Sequence, residues 1–258
     1  MPETSVAHFY DELADDYHLI YADWDASIRR QGDALDALDA LIGQDHAAVL
    51  DCSCGIGTQA IGLALRGHRV TGTDISPRAA ARAAREAADR SLSLPTAAAD
   101  MRRLPFADGR FDSVVCADNS LPHLLTERDV TAALAEMRRV LRPGGRLLIS
   151  TRPYDELLRD RPTSTAPQVS RAADGGGRTV TFQLWHWHED GERYDLEHFQ
   201  LLPEGGEWRV QVRRATYWAL GHDLLAGLAA AAGFVAPEWR MPQETGFFQP
   251  LLVARAGA

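Results

Sequence analysis

The chain has 258 residues, 45% hydrophobic and 24% charged, with 27 basic against 36 acidic side chains and a formal net charge of −9. That is enough for one large packed domain or two small ones. The acidic balance argues against non-specific binding to nucleic acid or an anionic membrane as the main role, since both are driven by positive charge. Every basic residue is arginine, so the chain has neither the Gly-Lys of a Walker phosphate loop nor an amine for Schiff-base or internal pyridoxal chemistry.

Residues 7–30 mix aromatics with acids (His8, Phe9, Tyr10, Tyr17, Tyr21, Trp24) and predict one or two short helices. Asp33 is placed as the cap of a clearer helix, with Leu35, Leu38, Leu41 and Ile42 at helical spacing and Gly43 ending it. A short apolar run, Ala47 to Leu50, stops at Asp51 and leads into the loop Cys52 to Gly57. Thr58 to Arg66 predicts a helix ended by Gly67, and Arg69 to Thr73 a strand. Ser76-Pro77, a cap followed by proline at the first helical position, opens a helix to about residue 90. Thr96 to Ala99 and Asp112 to Ala117 are the next strands. Thr126 caps a helix carrying Val130, Leu134, Met137 and Leu141, and Pro143-Gly144-Gly145 turns into the strand Arg146 to Ser150. Strands alternating with helices over short connections imply a parallel sheet covered on both faces.

After residue 151 the pattern changes. Residues 151–177 predict a long irregular stretch, with a run of glycines at 175–177. Arg178 to His188, Glu192 to Leu202 and Trp208 to Leu220 then predict an antiparallel meander, joined by Asp190-Gly191 and Gly205-Gly206 turns. A helix over 223–232 and strands near 235–240 and 249–255 close the chain. The expected organisation is an N-terminal helical lid (1–46), an α/β core (47–151), a loop and β insertion (152–220), and C-terminal elements completing the core sheet (221–258).

The three cysteines, Cys52, Cys54 and Cys116, do not form a secreted disulfide framework: the count is odd and the C-x-C pair is too close for an easy mutual bridge. The first residues lack a signal peptide's basic and apolar regions. No apolar run approaches the roughly 20 residues that span a bilayer. The expectation is a soluble, cytoplasmic protein.

The loop Asp51-Cys-Ser-Cys54-Gly55-Ile-Gly57-Thr-Gln-Ala60 admits two readings. Gly55-x-Gly57-x-x-Ala60 satisfies the dinucleotide fingerprint, with Asp74 at 19 residues beyond Gly55 where a ribose-binding acid belongs. Asp51, however, ends the first strand beside the space a pyrophosphate would fill, and its charge repels phosphate. A ligand carrying an ammonium or sulfonium suits it. Asp74, Asp100 and Asp118 follow the second, third and fourth strands, at the sheet edge where open α/β folds bind ligands. Asp74 can accept two ribose hydroxyls, and Asp100 an exocyclic adenine amine while Met101 covers the ring. Any one of these acids alone could be a helix cap.

These residues resemble the class I S-adenosylmethionine-dependent methyltransferases. The signature is Val49-Leu50-Asp51-x-x-Cys54-Gly55-x-Gly57-Thr58, Val70-x-x-x-Asp74-x-Ser76, Ala99-Asp100-Met101, Phe111-Asp112-x-Val114 and Leu141-Arg142-Pro143-Gly144-Gly145. The resemblance implies a Rossmann-like α/β sheet with N-terminal helices and an inserted antiparallel β-meander, and S-adenosylmethionine as cofactor. Asp51 with the Cys54, Gly55 and Gly57 backbone would hold its methionyl end, Asp74 with Ile75 the ribose side, and Asp100 with Met101 the adenine; Ala117 also falls at the cofactor edge. Glycine is needed at 55 and 57 for close backbone approach.

A narrower resemblance is to the glycine N-methyltransferase family, carried by Val114-Val-Cys-Ala117-Asp118-Asn119-Ser-Leu-Pro-His123-Leu124 and Ile149-Ser-Thr-Arg152-Pro-Tyr-Asp155. It implies that Asn119 and Arg152 grip an acceptor's carboxylate; a guanidinium offers the bidentate fork a carboxylate wants. The alternative for Arg152 is a surface ion pair with Asp155. Tyr10, Tyr17, Tyr21 and Arg29 resemble that family's aromatic lid, whose arginine meets the cofactor carboxylate, and Tyr217 is placed facing the acceptor. Where that family has a small residue before its asparagine, this chain has Asp118. A carboxylate there attracts a cationic group or takes a proton from the acceptor.

The implied reaction is in-line methyl transfer, in which holding both partners in line does most of the work. An amine's proton would go to Asp118, His123, Tyr217 or water. The expected partner is a small molecule, with neither nucleic acid nor membrane involved. An oxygen or carbon acceptor, and a non-catalytic cofactor-binding role, remain open at this point. His186 and His188 share one strand face, opposite Trp185 and Trp187, and His198 approaches from the next strand; with no acid or cysteine to complete a metal site, a polar sheet face is the expectation.

Overall fold

The computed structural model describes residues 5–39, 46–171 and 178–257. The expected positions Leu41, Ile42 and Gly43, and the glycines at 175–177, lie outside these described residues.

The core is a seven-stranded sheet. Its strands are β1 (Ala48–Asp51), β2 (Arg69–Asp74), β3 (Thr96–Ala98), β4 (Phe111–Cys116), β5 (Leu141–Ser150), β10 (Phe234–Arg240) and β11 (Leu251–Ala256), in the spatial order β10-β11-β5-β4-β1-β2-β3. Strands β1 to β5 are parallel, and β11 runs antiparallel to both β5 and β10. From β1 the chain steps outward to β2 and β3, then returns to place β4 on the other flank. The β1/β4 boundary is therefore the topological switch point, where an open sheet leaves a crevice at its carboxyl ends.

Both faces are covered. Alternate residues of β1, β4 and β5 supply each side: Leu50, Val114 and Leu147 pack with Val130, Leu134 and Met137 of α5 (Glu127–Val140) and Leu225 of α7 (His222–Ala231). Val49, Val115 and Leu148 pack with Ile28 and Leu35 of α2 (Trp24–Asp39), Ile61 and Leu63 of α3 (Thr58–Ala64), and Ala83 of α4 (Pro77–Asp89). Ser76 and Thr126 cap α4 and α5 as expected, each hydroxyl accepting from the backbone N–H three residues on.

Three expectations change. Asp33 does not start a helix, because α2 already begins at Trp24, where the Asp23 carboxylate accepts the Ala26 N–H at 2.8 Å; Asp33 lies mid-helix and pairs with Arg66. The stretch 151–177 is not irregular throughout: it holds α6 (Tyr154–Asp160), entered through Pro153, and β6 (Gln168–Arg171), paired antiparallel to β7 (Arg178–Trp187). The meander is therefore a four-stranded sheet, β6-β7-β8-β9, with β8 at Arg193–Glu204 and β9 at Glu207–Trp218.

A third core joins the two sheets to the N-terminus. Phe9 and Leu13 of α1 (Val6–Leu13), Tyr154 of α6, and Trp185, Tyr194, Leu196 and Tyr217 of the meander pack together. The α1 segment is tied to α4 by Ser76 Oγ donating to Asp11 at 2.5 Å and by Arg82 reaching the Ala14 carbonyl at 2.6 Å.

One packing feature left no recognised trace in the sequence. Helices α2 and α3 cross glycine on glycine: a Cβ on Gly62 would sit 2.5 Å from the Ile28 carbonyl oxygen, and one on Gly32 2.6 Å from the Gly62 backbone. These neighbours are backbone, so relief requires moving a helix. Gly62→Ala is expected to destabilise the protein by about 1–3 kcal/mol, the usual range for overpacking, read as a lower urea midpoint.

Candidate active site

Two connected cavities open at the carboxyl edge of the core sheet. The larger, of about 290 Å³, is walled by the loop after β1 (Cys52 to Ile56), Thr58 and Gln59, Asp74 and Ile75 after β2, Asp100 to Arg102 after β3, and Tyr10, Tyr17 and Tyr21 from the N-terminal segment. The smaller, of about 100 Å³, lies toward the meander and is walled by Asn119, Arg152, Gln183, His198, Tyr217 and Gln249 with Phe9, Leu13, Ile20 and Leu196. Tyr10, Tyr17 and Asp118 line both and form the boundary between them.

The glycine loop is held by Asp74. One of its oxygens accepts the Gly55 N–H at 2.8 Å and the other the Ser76 N–H at 2.9 Å, leaving a lone pair on each for a further donor. Burial pushes its pKa up to about 6, against the pull of those two N–H groups. Gly57 has φ +98°, and a Cβ there would meet Ile61 Cδ1 at 2.9 Å, so the turn excludes a side chain on both counts. Asp51 lies beneath the loop instead of lining the cavity. It is fully buried, one oxygen accepts the Ser53 N–H at 3.3 Å, and Oδ2 has no partner among the described residues. Burial raises its pKa to about 7, against the Ser53 N–H and reinforced by Asp74.

Asp100 is ionised and gripped by Arg102 (2.6 Å), which also reaches Asp129 at 3.1 Å; that hydrogen bond holds the Asp100 carboxyl below its usual range. Met101 and Ile75 give this end of the cavity apolar walls.

At the boundary the chain adopts two consecutive left-handed residues, Asp118 (φ +55°) and Asn119 (φ +62°), of the types that best tolerate this geometry. Ser150 at the end of β5 fixes the turn: its hydroxyl accepts the Asp118 N–H at 2.8 Å and donates to Gln249 at 2.7 Å, and its carbonyl accepts the Asn119 N–H. The result aims the Asp118 carboxylate at the tyrosines. Its Oδ2 receives Tyr17 and Tyr21 hydroxyls at 3.4 and 3.3 Å, and no cationic side chain among the described residues lies within ion-pair distance. Burial raises its pKa, with the Arg152 charge and both hydroxyls opposing.

Arg152 sits in the smaller chamber with its guanidinium between Trp185 (4.8 Å to the ring centroid) and Tyr217 (5.1 Å). It donates to Tyr194 at 2.7 Å and Gln183 at 3.3 Å, which engages two of its five N–H groups. Asn119 accepts the Arg152 N–H at 3.0 Å through its side-chain oxygen, and its Nδ2 is buried with no hydrogen-bond partner among the described residues. The alternative pairing of Arg152 with Asp155 does not occur, because Asp155 faces away to cap α7 and pair with His222 at 3.1 Å.

Tyr10 reaches His123 Nε2 at 2.9 Å, and the His123 ring packs tilted against Tyr217 with centroids 4.1 Å apart. Burial, with Arg152 nearby, pushes the His123 pKa down to about 3, and burial lifts Tyr217 to about 12. Both are neutral at physiological pH.

Most of the expected site residues line the two cavities; Asp51, Gly57, Arg29 and Ala117 line neither. Arg29 is exposed on α2, because Ser27, Ile28 and Gln31 take the buried face of that helix and turn Arg29 outward. Ala117 is buried in the core and lines neither cavity. His198 points to the chamber side of the meander, whereas His186 pairs with Glu197 on the opposite face, so the three histidines do not meet. Thr58 and Gln59 stand in the glycine-loop motif but were given no role, and the reading from sequence missed Gln183, Trp185, Tyr194 and Gln249. Trp185 had a signal, as the aromatic member of an alternating strand; Gln183, Tyr194 and Gln249 depend on register between distant elements.

The larger cavity suits a cationic nucleoside. The acids Asp51, Asp74 and Asp118 lie around it, Asp51 carries an unpartnered buried oxygen, and the one arginine in its wall is already paired with two carboxylates. A diphosphate would meet negative charge. Residues 49–145 match the methyltransferase domain family. A glycine/sarcosine N-methyltransferase of Parasynechococcus marenigrum is 39% identical over 159 residues, covering 58% of this chain and 54% of that one. A demethylmenaquinone methyltransferase of Beutenbergia cavernae is 38% identical over 156 residues, covering 58% and 60%. The chain spans little more than half the length of these curated relatives. Among solved structures, an S-adenosylmethionine-dependent methyltransferase from Clostridium acetobutylicum shares the fold at TM-score 0.76 and 14% identity, over 96% of this chain and 99% of that one. Residues 49–145 thus match a methyltransferase domain, and the chain as a whole shares the fold of an S-adenosylmethionine-dependent methyltransferase.

Proposed function

We propose that the protein methylates the amine of a small, carboxylate-bearing acceptor, using S-adenosylmethionine. The observation that carries this reading is Arg152: a guanidinium held between two aromatic rings in a chamber too small for a macromolecule, with donors left over for a carboxylate. The Parasynechococcus relative, a glycine/sarcosine N-methyltransferase, supports it. An uncharged acceptor would leave that buried charge without a counter-ion.

When bound, S-adenosylmethionine supplies a methyl group on a cationic sulfur, open to in-line attack by an amine lone pair. In this reading Asp74 holds the ribose hydroxyls, Met101 and Ile75 flank the adenine with Asp100 at its edge, and the Cys54 to Gly57 backbone with Tyr21 meets the methionyl end. Asp51 contributes charge from below. Arg152 and Asn119 orient the acceptor by its carboxylate, so that its amine faces the boundary at Asp118, Tyr10 and Tyr17. Asp118 takes the amine's proton, because His123 and Tyr217 hold pKa values of about 3 and 12 and neither accepts one readily at neutral pH.

A small molecule is the partner in this reading, with no role for nucleic acid or membrane. Among the described residues no helix is long and apolar enough to cross a membrane. The three cysteines are free and buried, in keeping with a reducing, cytoplasmic setting.

The test is release of adenosylhomocysteine with a panel of amino acids, N-methyl amino acids, amino sugars and quinols. Turnover confined to carboxylate-bearing amines supports the reading; turnover only with uncharged acceptors overturns it. Asp51 offers a separate check. Its raised pKa means the folded protein holds a proton that the unfolded chain releases, so Asp51 costs stability as pH rises from about 4 to about 7. A cationic ligand favours the ionised form, so S-adenosylmethionine should bind more tightly as pH rises through 7. Asp51→Asn is expected to flatten that dependence in calorimetric titrations and to raise the ligand-free Tm at pH 8.

A further inference from the structure

The inner face of the meander changes character along its strands. Two cross-strand rows are aromatic or apolar, Trp187–Tyr194–Tyr217 and Trp185–Leu196–Ala215; the next two are polar, Gln183–His198–Arg213 and Thr181–Gln200–Gln211. Gln200 and Arg213 are 0 and 6% exposed, so their polar groups need partners inside the protein. They find them in the N-terminal segment. Helix α1 ends at Leu13 and leaves its last carbonyls without helical donors. Arg213 donates to the Glu12 carbonyl at 2.9 Å, to Gln211 at 2.8 Å and to the Gln200 side-chain oxygen, and it lies 3.5 Å from the Asp16 carboxylate. Gln200 donates in turn to the Asp16 carbonyl at 3.3 Å. From the opposite side, Arg82 of α4 takes the Ala14 and Asp15 carbonyls at 2.6 and 2.9 Å. The carbonyls of Glu12, Ala14, Asp15 and Asp16 are thus held from outside the segment, two by the core and two by the meander.

The segment held in this way runs directly into Tyr17, which opens a 3-10 turn over Tyr17–Ile20. The Asp16 carbonyl also accepts the Leu19 N–H of that turn at 3.0 Å, so the Gln200 contact fixes the point where the turn begins. Tyr17 stands between the two ligand spaces. A Cβ on Gly55 would meet its Cε1 at 3.5 Å, and its hydroxyl donates to Asp118 at 3.4 Å. We infer that Arg213 is a positioning residue for methyl transfer: from the meander it fixes the 12–16 segment, and through it the place of Tyr17 between the glycine loop and Asp118. Arg213 lines neither cavity itself. Arginine suits the task because its planar fork reaches the Glu12 carbonyl, Gln200 and Gln211 together, which a single ammonium on a flexible stem does not match. The Asp16 carboxylate offsets its charge, and the carboxyl end of α1 favours a cation. A strand of the acceptor-side sheet thereby sets a tyrosine of the cofactor-side wall. The consequence for turnover rests on the reading of Asp118 as proton acceptor; the placement of Tyr17 does not.

Fluorine NMR on the full chain labelled with 3-fluorotyrosine tests this, because the protein has six tyrosines and Tyr17→Phe identifies the Tyr17 signal by its loss. Arg213→Met keeps the buried stem and removes the fork. In that variant the Tyr17 resonance should shift or broaden while those of Tyr154 and Tyr194 stay in place, and Arg213→Lys should restore part of the wild-type position. Tm checks that each variant is folded. With glycine and sarcosine as probe acceptors, Arg213→Met should lower kcat about 10- to 100-fold, the scale of a misplaced reacting group. Acceptor KM and the Kd for S-adenosylmethionine should stay within about threefold. Adding Tyr17→Phe to Arg213→Met should lower kcat by less than about twofold more, because both substitutions remove the same placement. A Tyr17 resonance that Arg213→Met leaves unmoved overturns the proposal, whatever the acceptor. So do losses in kcat that multiply in the double variant. Failure of both Arg213 variants to fold overturns it as well, by making Arg213 structural alone. Asp118→Asn with wild-type kcat, or no turnover of any carboxylate-bearing amine, would instead overturn the functional reading, and the Tyr17 resonance would still decide this one.

Discussion

Arg152→Ala is expected to raise the acceptor KM by about 100- to 1,000-fold while leaving the Kd for S-adenosylmethionine within about twofold. The size follows from what the substitution removes. A carboxylate drawn into the chamber is desolvated, and losing the partner of a buried, hydrogen-bonded charge pair costs about 3–5 kcal/mol. The separation of effects follows from location. Arg152 lines the chamber shared with Tyr217 and Gln183, and the larger cavity reaches Asp118 but not Arg152. Arg152→Lys is a sharper probe, because it keeps the charge and loses the planar fork that stacks between Trp185 and Tyr217; KM should remain at least 10-fold raised. Tyr194 loses a hydrogen bond in either variant but keeps Tyr154 at 3.0 Å, so Tm serves as the control for folding. An Arg152→Ala enzyme with the wild-type acceptor KM would remove the carboxylate clamp from the mechanism.

Asp118→Asn is expected to lower kcat/KM by about 100-fold at pH 7.5 and to change the shape of its pH profile. General-base assistance contributes about 10²–10⁴ in rate. The groups facing Asp118 are the Tyr17 and Tyr21 hydroxyls, the Tyr10 and Tyr217 phenols, and the Arg152 guanidinium; of these only Asp118 changes charge in the working range. In the wild type, kcat/KM should fall as acid protonates Asp118, at a pH above the ordinary carboxylate value because burial raises its pKa. In the variant the acceptor must arrive as the free amine, so kcat/KM should climb about tenfold per pH unit up to the amine's own pKa. Stability should move the opposite way. A carboxyl whose folded pKa is raised costs stability as pH rises from about 4 through that raised value, so Asp118→Asn should melt higher than the wild type at pH 8. Parallel pH profiles for the two proteins would show that the proton leaves by another route.

The alternation of strands and helices from β1 to β5 was legible because each element announces itself within a few residues: apolar runs of strand length, Ser76-Pro77 and Thr126 as caps, and glycine after α3. The cofactor edge was legible for a related reason. In a parallel sheet the carboxyl end of every strand lies on one side, so Asp74, Asp100 and Asp118 had to share an edge once the strands were assigned. Arg29 shows where this kind of inference stops. Its distance along the chain from Tyr21 suits a lid, but a helix face is chosen by what it buries, and Ser27, Ile28 and Gln31 occupy the inner side. The start of α2 was misplaced because Asp23 and Asp33 are equally good caps by residue type, and only the packing of Ile28 on α3 favours the longer helix.

What the residues state locally is an open α/β core, a glycine turn and acids suited to a cationic ligand; these follow from short-range periodicity and charge. The chamber is a different matter. Arg152 comes from the end of β5, Trp185 and Gln183 from β7, Tyr194 and His198 from β8, Tyr217 from β9, and Gln249 from the approach to β11. Their meeting rests on strand register, and a slip of one residue would send each meander side chain to the opposite face. The packing of α1, α6 and the meander into one core sets that register, and with it which face of the sheet lines the chamber.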